Sequence, residues 1–303
     1  MNNQRLNAKF TATKRAGFVY KIFLYVFLLE MAYIILSPFV VRILAAFMGR
    51  NDLIDATVHL IPKNWSLYYW REAFNGLKLE KTLLFTFAAA LGVSVIQTFI
   101  SALVGYGFAR FRFKGRNLAF LMVIIIMLVP EQIYGVSEFL TFRFFGIGDF
   151  NINLINTVFP MYIIAFGCLG LKQGLYIYLM REFFMGLPKD MEKAAYIDGA
   201  SFFQAFFQVA LPNARTIMTT VFLFSFCWQW SSNGNSYLFT EPKLMGAMTG
   251  TVAIRTATAA VNDIGTEISR NAMAILVILP LIVLFVFCQR SLVSSISRTG
   301  QAN

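Results

Sequence analysis

The chain has 303 residues, 58% of them hydrophobic and only 14% charged, with a mean hydropathy of +0.64 and a net charge of +11. A soluble domain of this size carries about a quarter charged residues, so an ordinary globular domain is excluded and a membrane protein is indicated. Three cysteines are too few for a disulfide framework to organise a chain of this length.

A hydrocarbon core of about 30 Å takes about 20 mostly apolar residues per crossing helix. On that measure the expected fold is an all-α membrane protein with about six transmembrane helices. Residues 1–22 form a basic N-terminal segment, and the first span covers 23–41. Its apolar stretch is too long for a signal-peptide core, and no small-x-small site precedes Arg42, so the span is read as retained. Glu30 is the one acidic residue well inside a span. It reads either as a functional group or as the partner of a group on a neighbouring helix or subunit. A polar stretch over 49–81 holds the lone His59, read as a surface residue. The second span covers 83–108, the third 118–136 with Pro130 near its end, and the fourth 155–171. The fifth covers 217–230 and starts as early as Ala214. Residues 244–261 are apolar-leaning, but their threonines, glycines and Arg255 indicate a surface helix or a re-entrant segment. The last span covers 272–288. Cys168, Cys227 and Cys288 all fall inside these spans and read as packing residues.

Charge orients the spans. Six crossings place both termini on one side, with 1–21, 109–117, 172–215 and 289–303. Those segments carry 16 Lys/Arg and 4 Asp/Glu, whereas 49–81, 137–153 and 231–271 carry 9 of each. The basic excess marks the cytoplasmic side. The pI of about 9.7 therefore reports topology and gives no support to nucleic-acid binding. The cluster Arg110-Phe111-Arg112-Phe113-Lys114 sits beside a span and reads as a contact for anionic lipid headgroups.

The most informative segment is 188–212, PKDMEKAAYIDGASFFQAFFQVALP. Pro188 suits the first position of a helix. Asp190 and Glu192 fall in its first turn, where negative charge favours the dipole. Gly199 suits the left-handed residue that ends it. Ser201 with Gln204 three residues on reads as a capping box for a second helix. That helix bears Phe203, Phe206, Phe207, Ala210 and Leu211 as one apolar stripe and is ended by Pro212. The first helix presents Ala194, Ala195 and Gly199 with almost no side chain, so another surface can approach its backbone. An amphipathic hairpin on the membrane surface is the plainer reading of the same pattern.

The offsets Lys193-Ala194-Ala195, then Gly199, Val209 and Leu211-Pro212, with Asp198-Gly199-Ala200 between, closely resemble the coupling loop of bacterial ABC-importer permeases. Further resemblance lies in Ala109–Arg116, in Pro130 and in Leu154-Ile155-Asn156-Thr157. Met180-Arg181-Glu182-Phe183-Phe184, Leu279-Pro280 and Thr299-Gly300 extend it. Together these are similar to the carbohydrate-type, maltose permease G-like members. The resemblance implies a type-I importer permease domain over 23–300, with its coupling helix between the fourth and fifth spans, and a tail at 301–303. It also implies ATPase coupling through Glu192, Lys193, Ala194, Ala195, Asp198, Gly199, Ala200, Leu211 and Pro212. The implied partners are a second homologous permease, two ATPase subunits that use ATP-Mg, an extracytoplasmic solute-binding protein, a carbohydrate substrate and membrane lipid. The implied place is the bacterial cytoplasmic membrane. Two departures stand out. Lys193 occupies the usual motif glutamate, and Trp230-Ser231-Ser232 replaces a common Trp-Asn.

No Gly-Lys dipeptide occurs, so the chain has no Walker A phosphate loop and is not itself read as an enzyme. No cofactor is expected to bind it directly, no Cys/His cluster suggests a metal, and the single histidine has no partner for nucleophilic catalysis. Trp228, Trp230, Asn233 and Asn235, near the outer end of the fifth span, are candidates for a substrate path. Aromatic faces and amides suit sugars, and an aromatic belt at the interface explains the tryptophans equally. The rival functions are an ABC permease for a non-sugar solute, a gradient-driven transporter without an ATPase, and a membrane scaffold.

Overall fold

The computed structural model describes residues 2–77, 79–148, 150–231, 238 and 264–299. Two compact units emerge, one from Met1–Ala73 with Ala260–Ile275 and the other from Phe74–Ala259 with Leu276–Asn303.

In the first unit, α1 (Asn2–Ala45) starts polar and basic, becomes apolar further along, and continues through Pro38. Its segment Tyr20–Ala45 is hydrophobic enough to cross a membrane. Nearly all of it is exposed, Glu30 included, as suits a helix whose solvent is lipid or another subunit. The polar loop that follows is knit by Asp52 at the start of α2 (Arg50–Ile54). Its carboxylate accepts from the Asn64 backbone N–H at 2.7 Å and from Asn64 Nδ2 at 2.6 Å. Phe47 packs on Trp65 and Trp70, and Arg42 Nη1 donates to Asn271 Oδ1 at 2.7 Å. Helix α3 (Tyr68–Leu77) leads to the second unit.

The second unit is organised by α4 (Leu79–Arg110), the second predicted span. The third predicted span, 118–136, is broken. Helix α5 (Arg116–Leu128) stops, Pro130 caps α6 (Glu131–Arg143), and the pair is bent by 101°. Pro130 has no N–H to give α5, and it forces Val129 into an extended conformation at ψ 122°. A short hairpin of β1 (Phe145–Ile147) and β2 (Phe150–Ile152) follows, paired Phe145 to Ile152. It is a small departure from the expected all-α fold.

The fourth predicted span, 155–171, is also broken, and it extends further than expected. Helix α7 (Phe159–Phe166) ends at Gly167; Cys168 and Lys172 turn left-handed at φ 64° and 57°; then α8 (Gln173–Gly186) begins. Cys168 thus lies in the break rather than inside a helix. Helix α8 runs parallel to α4. Gln97 Nε2 reaches the Leu171 carbonyl at 3.3 Å, Gly105 lies against Ile177 and Met180, Tyr106 packs on Phe184, and Arg110 reaches Leu187. Residues 172–186 therefore belong to the helical bundle, a correction to their placement in a cytoplasmic loop. Hydropathy missed this because Lys172, Gln173, Arg181 and Glu182 dilute the apolar signal.

Contact between α4 and α8 depends on Gly105. A Cβ there would sit 2.7 Å from Met180 Cβ and 2.9 Å from the Arg181 nitrogen, whereas at Gly107 the nearest atom is 3.9 Å away. Gly105→Ala is expected to destabilise the bundle by about 1–3 kcal/mol through overpacking. Gly107→Ala should instead be neutral or stabilise by up to about 1 kcal/mol. Thermal unfolding of the two variants in detergent checks this, and equal melting points would refute the close crossing.

Helix α12 (Arg215–Ser231) runs antiparallel to α4, with Val221 near Ala102 and Phe226 near Phe87. Its start agrees with the early boundary expected for the fifth span. Helix α13 (Ile264–Thr299) contains the last predicted span and continues through Pro280. Trp230 Nε1 donates to the Val277 carbonyl at 3.0 Å, three residues before the proline that interrupts the helical bonding there. Among the described residues, three helices are long and apolar enough to cross a membrane, or up to five spans if each bent pair is one span. Residues 244–261 lie outside the described residues.

Candidate functional site

The loop at 188–212 is built by local turn chemistry. Helix α9 (Lys189–Ile197) begins one residue later than predicted, with Pro188 as its N-cap at φ −57°, ψ 125°. Its end is a Schellman motif. Asp198 is the C-cap, Gly199 is left-handed at φ 86°, the Gly199 N–H donates to the Tyr196 carbonyl at 3.1 Å, and the Ala200 N–H donates to the Ala195 carbonyl at 2.9 Å. The Ser201–Gln204 capping box is formed in both directions, at 3.4 and 2.7 Å. It opens α10 (Phe202–Ala205), which widens into a π-helical turn at Phe206–Ala210 and closes as α11 (Leu211–Asn213). Pro212 therefore does not end the helix. It cannot donate to the carbonyl four residues back, and the wider turn just before it absorbs the missing bond. Asn213 Nδ2 donates to the Val209 carbonyl at 2.7 Å. The whole segment is then bent by 78° to α12.

The predicted apolar stripe divides at this wide turn. Phe206 and Ala210 are buried, while Phe203 and Phe207 remain exposed. Phe206 enters a core with Tyr106, Tyr176, Met180 and Phe184, its ring 5.0 Å from Tyr106. The loop is thereby seated on the ends of α4 and α8.

A buried ion pair holds α9. Arg110 Nε donates to Glu192 Oε1 at 2.7 Å, and both side chains are about nine-tenths buried. Arg110 Nη2 donates to the Leu187 carbonyl at 3.0 Å, and the Tyr106 hydroxyl to Glu192 Oε2 at 3.2 Å. This corrects the reading of Arg110 as a headgroup contact; Arg112 and Lys114 are the exposed basic members of that cluster. Sequence reasoning missed the clamp because its two ends are 82 residues apart. Lys193 points outward and donates to Asp190 at 2.8 Å, which holds the Asp190 carboxyl below the usual carboxylate range. Ala194, Asp198, Gly199 and Pro212 are exposed, and Ala195, Ala200 and Leu211 half-buried. Beside them Ile197 is 85% exposed. It is an apolar group on the outer face of α9 that the sequence reading did not single out, although it faces away from Glu192. This face combines small residues, an exposed isoleucine and an internally paired charge, which suits close docking by another protein.

A second feature lies at the break between α7 and α8. A cavity of about 430 Å³ is lined by parts of α5, the Pro130 turn, the break residues, Trp228 and Ser231. Gln173 fixes the break, accepting from the Gly170 N–H at 3.0 Å and donating to the Ala165 carbonyl at 2.7 Å. Ser225 Oγ donates to Gln97 Oε1 and links α12 to the same level of α4. Of the predicted path residues, Trp228 lines this cavity and is 46% exposed. Trp230 is instead fully buried, stacked at 5.7 Å on Phe226 with its N–H spent on Val277, and presents nothing to a path. Asn233 and Asn235 lie outside the described residues.

The family described as "Binding-protein-dependent transport system inner membrane component" matches residues 97–298. The chain is 29% identical over 202 residues to a probable ABC transporter permease protein, PH1036, of Pyrococcus horikoshii, covering 65% of this chain and 68% of that one. It is 26% identical to the maltodextrin transport system permease protein MdxG of Bacillus subtilis, over 92% of this chain and 95% of the relative. Among solved structures, it shares its fold with a chain of a bacterial ABC transporter involved in the import of the acidic polysaccharide alginate. The TM-score is 0.71 at 19% identity, over 91% of this chain and 97% of that one.

Proposed function

We propose that this chain, which belongs to the family of binding-protein-dependent transport system inner membrane components, is the permease subunit of an ATP-driven importer of carbohydrate. It crosses the cytoplasmic membrane about six times, with both termini and α9 on the cytoplasmic side. It forms half of the translocation path with a second, related permease. A solute-binding protein delivers the sugar, and each of two separate ATPase subunits receives one such α9.

The observation that carries this reading is the clamp of α9 onto α4 through Arg110, Glu192 and Leu187. A docked helix held by an internal ion pair moves as one body with the spans it is fixed to. When nucleotide closes the ATPases, displacement of α9 passes to the base of α4 directly and to α8 through Phe206. It then travels along them toward the break at 167–172 and the cavity beside it. The sequence similarity to MdxG, a maltodextrin permease by name, supports a sugar as the cargo.

The test is mild-detergent purification of the tagged chain from its host, identification of what co-purifies, and reconstitution. Recovery of a second permease and an ATPase, followed by sugar uptake that requires ATP, is the expected result. Recovery of the chain alone, under conditions that preserve a known importer complex, would refute it and redirect attention to gradient-driven transport.

A further inference from the structure

The cavity at the broken fourth span holds a charge that the coupling mechanism does not use. Lys172 lies level with Gln97 of α4, thirteen residues from Arg110, or about 20 Å at 1.5 Å per residue. Its ammonium is thus near the middle of a crossing helix and not at a headgroup. Lysine at that depth is costly, and it is retained where it faces a pathway or a partner. The ammonium rests over the Trp228 ring, 5.3 Å from its centroid, a weak cation–π contact. The backbone at Lys172 is left-handed at φ 57°, an uncommon conformation for a lysine. Gln173 has both ends of its amide committed to holding that turn. The site is therefore preformed, and its volume of about 430 Å³ lies within the range of about 300–1,000 Å³ common for small-ligand pockets.

We propose that this cavity is a subsite for an anionic sugar unit, whose ring stacks on Trp228 and whose acid group pairs with Lys172. The inference rests on the reading of the chain as a carbohydrate permease and sharpens it, from carbohydrate in general to acidic carbohydrate. Lys172 covers the indole face. An incoming acid group draws the ammonium to the side, exposing the indole for the apolar face of the sugar ring. A neutral sugar offers no exchange for that contact.

The test uses the assembled transporter in detergent and equilibrium binding of radiolabelled galacturonate and galactose 6-sulfate, with galactose as the neutral control. Galacturonate or galactose 6-sulfate is expected to bind at least ten-fold more tightly than galactose, and whichever does so identifies the acid as carboxylate or sulfate. Lys172→Gln should abolish the preference, Lys172→Arg should keep it, and Trp228→Ala should weaken the preferred acidic sugar while leaving galactose little changed. Equal binding of acidic and neutral sugars by the wild type, or an unchanged preference in Lys172→Gln, would overturn the subsite. Co-purification of the ATPase, measured on the same preparation, separates that outcome from failure of the importer reading itself.

Discussion

Glu192→Ala is expected to abolish sugar-stimulated ATP hydrolysis and uptake while leaving the chain inserted in the membrane. The substitution removes one member of a buried pair and leaves the Arg110 guanidinium unpaired beneath α9. Breaking such a pair from one side costs about 3–5 kcal/mol. The loss falls on the docking of α9, since Glu192 bonds to Arg110 and Tyr106 at the base of α4. Amide exchange across 189–197 should rise on the order of 10²–10³-fold, because local opening reports local stability. Arg110→Ala should produce the same two effects, since it also frees the Leu187 carbonyl. Replacing both charges with apolar residues of similar volume, Arg110→Met with Glu192→Leu, should restore much of the protection, because the desolvation penalty disappears with the charges. A different role for Glu192, direct contact with the ATPase, gives a separate pattern. Uptake would fall in Glu192→Ala with no change in exchange, and Arg110→Ala would leave uptake normal. That pattern would end the clamp interpretation.

What could be read in the residues follows the range of the interactions concerned. Gly199 and the Ser201–Gln204 box were legible because each is settled within about five residues by turn and cap chemistry. The helix starts were less so: Pro188 serves as N-cap and not as the first helical residue, a choice decided by the chain path out of α8. The clamp was not legible, because Arg110 and Glu192 meet only once α4 and α8 lie side by side. Hydropathy gave a fourth span of ordinary length. A window average cannot see that Gly167, Gly170 and the left-handed Cys168 and Lys172 interrupt it. Trp228 and Trp230 looked equivalent in sequence. Two residues on an α-helix are about 200° apart, so one faces the cavity and the other the core, and only the packing of α12 against α4 and α13 decides which.

Gly199 gives the second large effect, and the reason is visible in what surrounds it. At φ 86° a side chain is strained whatever the space, by roughly 1–2 kcal/mol for most residues. A Cβ built there meets nothing within 4 Å of this chain. The glycine therefore has two separable jobs, to permit the Schellman turn and to leave the outer surface bare. Asparagine tolerates the left-handed region better than other non-glycine residues, so Gly199→Asn should keep the turn and retain measurable uptake. Gly199→Ala adds strain with little bulk and should reduce uptake by less than ten-fold. Gly199→Trp adds both strain and bulk on the exposed face next to Ala194 and Ile197. It should lower ATP-driven uptake at least a hundred-fold and release the ATPase on purification, with normal membrane insertion. The ordering asparagine, alanine, tryptophan is the diagnostic point. If backbone strain alone mattered, alanine and tryptophan would be equally impaired. If neither job mattered for transport, Gly199→Trp would take up sugar normally, and the docking of an ATPase on this face of α9 would have to be given up.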